Sequence, residues 1–164
     1  MQFSTISSLD EFPETARLLG NLTVSWSHAE RAIYLVFWAI TGTTQGKAFD
    51  IYENITSFRT RYDLTAKLLE ESLDEHPKMQ DLLSCLNSLI ACFQIRNELV
   101  HRTWVTYDNK KLGLIDHRMK KKQGQVRSIS DKEIRDTIRL INQTCDKIIH
   151  AILEIYPHAF QKTS

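Results

Sequence analysis

The stretch Arg96-Asn97-Glu98-Leu99-Val100-His101 sets an arginine, an asparagine and a histidine within one and a half helical turns. A guanidinium is a planar, permanently charged fork that grips carboxylate or phosphate oxygens two at a time. An imidazole titrates near pH 6.5 and can take or give a proton at neutral pH. Asn97 and His101 are four residues apart and share a helix face, whereas Arg96 and His101, five apart, do not. Either the helix ends near His101, or Arg96 reaches round, or two copies of the stretch meet across a dimer.

The element that must carry this stretch is a helix from about Lys78, with an apolar stripe of Leu82, Leu86, Leu89, Phe93 and Val100. At 100° per residue these fall within about 40° of Leu82, with Arg96 and Asn97 flanking the seam and His101 about 100° round. A guanidinium beside a buried seam needs a carboxylate, a phosphate or an opening to water. Glu30, set between Trp26 and Ile33 near the seam of the first helix, is one candidate partner for Arg96.

Three further helices follow from periodicity. Leu19, Leu22, Trp26, Ala29, Ile33, Val36 and Ile40 recur three and four apart between Pro13 and Ile40, and Thr41-Gly42-Thr43 ends that helix. A loop is expected to Thr56, then a helix from Ser57 to about Glu75 with Phe58, Tyr62, Thr65, Leu68 and Leu69, closed by Pro77. Ser130-Asp131-Lys132-Glu133 is a capping box, in which serine and glutamate each satisfy an otherwise unpaired backbone N–H. It opens a helix through Ile134, Ile138, Ile141, Cys145, Ile148, Ile152 and Ile155, ended by Pro157.

Between Thr103 and Ile129 the strand formers Trp104 to Tyr107, the turn pair Asp108-Asn109 and the run Leu112 to Ile115 predict a small β-hairpin or arm. The expected fold is therefore all-α: an up-and-down four-helix bundle, a single domain over residues 1–164, with a hairpin or loop inserted at 102–129 between the third and fourth helices.

Apolar residues make up 42% of the chain and charged ones 25%, with five glycines and three prolines, which sets aside disordered and collagen-like classes. Cys85, Cys92 and Cys145 lack metal-type spacing and read as buried free thiols. The first residues lack the basic start and apolar run of a secretory signal, and no stretch is long and apolar enough to span a bilayer, so a cytoplasmic protein without membrane contact is expected.

The net charge of +1 hides an asymmetry. Eight basic residues from Arg102 to Arg127 face only Asp108 and Asp116, a local balance of +6 that leaves −5 for the rest. Such a segment suits a polyanion; a solvated loop is the plainer reading of Lys120-Lys121-Lys122 alone.

With these residues in view, the sequence resembles HEPN (higher eukaryotes and prokaryotes nucleotide-binding) domains. Their signature is an arginine, often followed by a polar residue, then a histidine after four to six positions near the end of the third helix of a bundle. Arg96-Asn97 and His101 match it. The Ser25–Ile33 stretch SWSHAERAI is similar to the first-helix Trp and Glu pattern of bacterial members, and VHRTW follows the motif as theirs does.

The resemblance implies a metal-independent endoribonuclease without cofactor, working as a homodimer whose two motifs form one composite site. It implies Arg96 and His101 as catalytic residues with Asn97 in support, and a toxin–antitoxin or phage-defence setting with a protein antitoxin or regulatory partner. RNA supplies its own nucleophile, the 2′-hydroxyl, so proton transfer by His101 and charge stabilisation by Arg96 would suffice. Arg102, Lys110, Lys111, Arg118, Lys120, Lys121, Lys122 and Arg127 would grip the RNA backbone. Inactive members of the family leave a second expectation, a non-catalytic nucleotide- or protein-binding module. From the residues alone, His101 reads sooner as a helix-ending side chain that bonds terminal carbonyls, and Asn97 equally as an interhelical hydrogen bond.

Overall fold

A computed structural model describes residues 3–72, 77–108, 110–116 and 125–161. Among these the elements run β1 (Phe3–Thr5), α1 (Pro13–Thr41), α2 (Gln45–Glu53), α3 (Phe58–Ser72), α4 (Met79–His101), β2 (Thr103–Tyr107), β3 (Lys111–Ile115), β4 (Arg127–Ser128) and α5 (Asp131–Ile155), then a short 3₁₀ turn at Ala159–Gln161. The chain is mostly helical, as its periodicity implies, and carries a small antiparallel sheet. It divides into two compact units, Met1–Val24 with Cys92–Arg139 and Ser25–Ala91 with Leu140–Ser164.

The first unit holds the sheet, in the order β1-β2-β3-β4. β2 and β3 form the expected hairpin, with Tyr107 opposite Lys111 and Thr103 opposite Ile115. Asp108 and Lys110 turn the chain with positive φ, 36° and 68°; a three-residue hairpin loop uses such left-handed residues to match strand twist. The strands are not, however, a simple insertion between two helices. β1, from the chain's beginning, pairs with β2 through Phe3 and Tyr107 at one end and Thr5 and Val105 at the other. Three residues are too few to display a period-two pattern, which is why Phe-Ser-Thr carried no strand signal.

Val105, Leu112, Leu114, Ile115 and Ile129 are buried in this unit, as are Leu18, Leu22, Leu99 and Ile134. Thr15 Oγ1 donates to Asp131 Oδ1 at 2.6 Å, tying the start of α1 to the start of α5. Ser130 caps α5 by accepting the N–H of Glu133 at 3.2 Å. The Glu133 carboxylate is engaged by Arg127.

In the second unit the expected loop before Thr56 contains α2. Only Ala48 and Tyr52 of that helix are buried, a stripe too narrow to register as a helical period, and its N-cap Thr44 makes no side-chain cap bond. The far half of α1 is enclosed on most sides: Ala32, Ile33, Val36, Phe37, Trp38 and Ala39 are each at most 5% exposed. Tyr52 lies against Tyr34 and Phe37, with ring centroids 5.4 Å apart in each pair. Gly42, at φ 59°, takes the left-handed conformation that ends α1, and Trp38 Nε1 donates to the Thr43 carbonyl at 3.0 Å just beyond it. Tyr62 Oη donates to Asn87 Oδ1 at 2.6 Å, joining α3 to α4.

No described helix is long and apolar enough to cross a membrane. The three cysteines are free thiols, Cys92 and Cys145 buried and Cys85 half-buried.

Candidate functional site at the end of the fourth helix

The buried stripe of α4 is rotated slightly from the expected one. It runs Leu82, Leu86, Leu89, Cys92 and Leu99, while Phe93 is half-buried and Val100 is 49% exposed. Arg96 lies four residues after Cys92 and three before Leu99, so it stands within the stripe rather than beside it. The half-buried guanidinium donates from Nη1 to Asn97 Oδ1 at 3.2 Å, and its Nε is shielded from solvent with no hydrogen-bond acceptor. A buried donor left unmatched costs on the order of 1–3 kcal/mol, so its retention calls for a reason other than folding.

α4 ends at His101, and the side chain is exposed. Two features fix that end. Arg102 N–H still reaches the Glu98 carbonyl at 3.1 Å, and Trp104 Nε1 donates to the Leu99 carbonyl at 2.9 Å, meeting one of the carbonyls a helix end leaves unpaired. His101, Asn97, Glu98, Arg102 and Asp116 line one hollow of ≈ 200 Å³. The structure thus brings Asn97 and His101 together on one face. Arg96 is absent from the described lining of that hollow.

The hollow's walls are held by ion pairs. Arg102 Nη2 lies 2.9 Å from Glu98 Oε1 and 3.5 Å from Asp116 Oδ2. Arg127 Nε lies 3.3 Å from Glu98 Oε2, and its other end pairs with Glu133. Among the described residues this network joins two guanidiniums, Arg102 and Arg127, to three carboxylates, Glu98, Asp116 and Glu133. Its side chains are 20 to 34% exposed, so the pairs are shielded enough to be held in fixed geometry.

Of the basic residues expected to grip a phosphate backbone, Arg102 and Arg127 are therefore engaged by carboxylates. Lys110 is paired with Glu11 at 2.8 Å on the open surface. That hydrogen bond lowers the pKa of Glu11 and raises that of Lys110. Lys111 is exposed at the start of β3. Arg118, Lys120, Lys121 and Lys122 lie outside the described residues. Glu30 belongs to the second unit, where it is half-buried and accepts a hydrogen bond from Trp26 Nε1 at 3.2 Å.

Sequence reasoning missed Glu98 and Asp116 as parts of the site. The first carried a signal, because Glu98 and Arg102 stand at the i,i+4 spacing of a helical ion pair. The second depended on register: with Thr103 opposite Ile115, the hairpin sets Asp116 across from Arg102. No protein-family model, curated protein or solved structure gives a significant match to this chain.

Proposed function

We propose that the protein is a metal-independent endoribonuclease of the HEPN type, with the up-and-down bundle of that family and a composite site shared by two copies. The observation that carries this reading is an exposed, pocket-lining His101 five residues after an arginine kept in a buried stripe at the cost of an unmatched Nε–H. A fold maintained for packing alone would place an apolar residue at position 96.

In this mechanism one imidazole takes the proton of a ribose 2′-hydroxyl. The 2′-oxygen bonds to the adjacent phosphorus, the bond from phosphorus to the 5′-oxygen breaks, and the partner copy's imidazole gives that oxygen its proton. The products are a cyclic phosphate and a free 5′-hydroxyl. Arg96 offers two parallel donors to the phosphorane oxygens as charge builds on them. Asn97 accepts from the Arg96 fork through its Oδ1 and, one turn before His101, shares that residue's helix face. The resemblance implies a cytoplasmic toxin–antitoxin or phage-defence setting, with a protein antitoxin or sensor restraining the activity.

The test is incubation of the purified protein with RNA in the presence of a chelator, repeated with His101→Ala. Cleavage that survives chelation, leaves cyclic-phosphate ends and vanishes in the variant supports the reading. A folded dimer that cleaves no RNA overturns it in favour of a non-catalytic nucleotide- or protein-binding module. One observation favours that second reading: Arg102 and Arg127 are held by carboxylates rather than presented to a phosphate backbone.

A further inference from the structure

The second compact unit holds a hollow of ≈ 310 Å³ that the site at the end of α4 does not use. Arg31, Leu35 and Trp38 line it from α1, four and three residues apart and so on one helix face. Ile148, Ile149, Ile152 and Leu153 line it from α5, with Phe160 from the 3₁₀ turn that follows and Gln45 from the start of α2. Ile148 and Ile152 are fully buried, while Leu153 stands 48% exposed. The lining thus runs from core hydrocarbon to an apolar wall open to solvent.

Arg31 is the one charged side chain among the described lining residues. It is exposed, and among the described arginines it and Arg96 alone have no carboxylate within ion-pair distance. A guanidinium at the mouth of an apolar hollow matches an amphiphile: the fork takes a carboxylate by both oxygens, and the hydrocarbon walls take the tail. Trp38 Nε1 already donates to the Thr43 carbonyl at 3.0 Å, so the indole offers a ligand ring surface and no spare donor. Phe160 stands edge to face against it, with centroids 4.9 Å apart.

Dimensions and polarity narrow the ligand. From Arg31 to Trp38 the helix rises about 10 Å, a distance that an octanoyl chain spans. A nucleotide would leave most of its polar edges and charges against isoleucine and leucine, and polar groups buried without partners are costly. A protein partner engages roughly 20–30 residues on each side, against the nine that line this hollow. A single anionic end and a short apolar body remain.

We propose that this hollow is a binding site for a medium-chain monocarboxylate, whose carboxylate pairs with Arg31 and whose chain runs past Leu35 and Leu153 to the Trp38–Phe160 pair. Arg31 selects for the charge, and the isoleucine and leucine walls select for the hydrocarbon. The site is independent of the nuclease reading, since none of its residues belongs to the unit that carries Arg96 and His101.

The experiment is a calorimetric titration of the full chain with octanoate and, separately, with octanol, its uncharged analogue. Octanoate should bind at one site and roughly tenfold or more tightly than octanol, because only the carboxylate gains charge-assisted hydrogen bonds. Arg31→Met keeps a long apolar stem on an exposed position and should bind the two alike. Leu153→Asp, which sets a like charge beside the ligand's path, should weaken octanoate binding at least tenfold. Should either variant fail to fold, the comparison of octanoate with octanol on the native chain tests the same contact. No saturable binding of octanoate, equal binding of the two probes by the native chain, or a preference for octanoate that survives in folded Arg31→Met overturns the site. Octanoate binding unchanged in folded Leu153→Asp places the ligand elsewhere and overturns it as well.

Discussion

Trp104 donates its indole N–H to the carbonyl of Leu99 at 2.9 Å. Leu99 is buried in the last turn of α4 and Trp104 is the second residue of β2, so this bond fixes the angle at which the helix gives way to the sheet. His101 sits between the two. Its exposure and its place in the hollow follow from a helix that is stopped there rather than allowed to fray.

Trp104→Phe keeps most of the ring and removes the donor. The half-buried Leu99 carbonyl loses its partner, and a net cost of about 1 kcal/mol is expected, read as a lower denaturation midpoint at unchanged slope. If the cap matters only for stability, cleavage by the folded variant stays at the native rate. A fall of several-fold in cleavage is the expected result, because a loosened helix end misplaces His101.

Gly113 is needed for close approach rather than for an unusual φ. A Cβ built there would run into the Val126 side chain and lie 3.1 Å from both the Arg127 carbonyl and the Tyr107 ring. Gly113→Ala therefore pushes β4 from β3, at an expected cost of about 1–3 kcal/mol. For a chain of this length each kcal/mol corresponds to a fall of about 2–4 °C in melting temperature. Because Arg127 lies on β4 and holds Glu98, the same substitution should loosen the hollow beside His101, and RNA cleavage should slow with it. A variant that melts with the native protein would remove the packing argument.

Burial pushes the Cys92 thiol up to about 11 from its ordinary value of 9.0. The native state thus holds the neutral thiol in a pH range where the unfolded chain ionises. Its contribution to stability is whole below about pH 9 and is lost as the pH climbs toward about 11, where both states ionise. Native stability should decline over that window, and Cys92→Ala, though less stable at neutral pH through the cavity it leaves, should flatten the decline. In unfolding experiments across the window, equal slopes for the two proteins would refute the assignment. A thiol reagent at pH 8 should modify half-buried Cys85 before Cys92 or Cys145.

What the sequence discloses follows from the physics of each element. α1, α4 and α5 display long stripes because each buries a broad face, and their ends are legible in Gly42, His101 and Ser130. The phase of α4 slipped because Cys92 and Phe93 are neighbours of comparable apolarity. Periodicity alone could not decide between Phe93 with Val100 and Cys92 with Leu99, and the buried pair turned out to be the second. α2 and β1 were hidden because one buries two residues and the other has three. The catalytic candidates were visible as residue types at a spacing, while the carboxylates beside them were not, since Asp116 joins the site through strand pairing that no local pattern records.

The position of Arg96 within the stripe leads to a prediction that separates folding from function. A half-buried arginine with an unmatched donor contributes little to stability, and a hydrophobic side chain of similar length often packs as well or better. Arg96→Met should therefore melt at or above the native temperature, with a gain of up to about 2 kcal/mol, because the unmatched Nε–H disappears and the stripe from Cys92 to Leu99 becomes continuous. The same variant should lose RNA cleavage by a factor of about 100 or more, having no fork for the phosphorane. Arg96→Lys retains the charge without the bidentate geometry and should fall nearer to Arg96→Met than to the native protein in rate. Thermal melts and single-turnover cleavage on the three proteins check this together. If Arg96→Met unfolds or melts well below the native chain, Arg96 is a structural residue, and its placement in the stripe ceases to argue for catalysis.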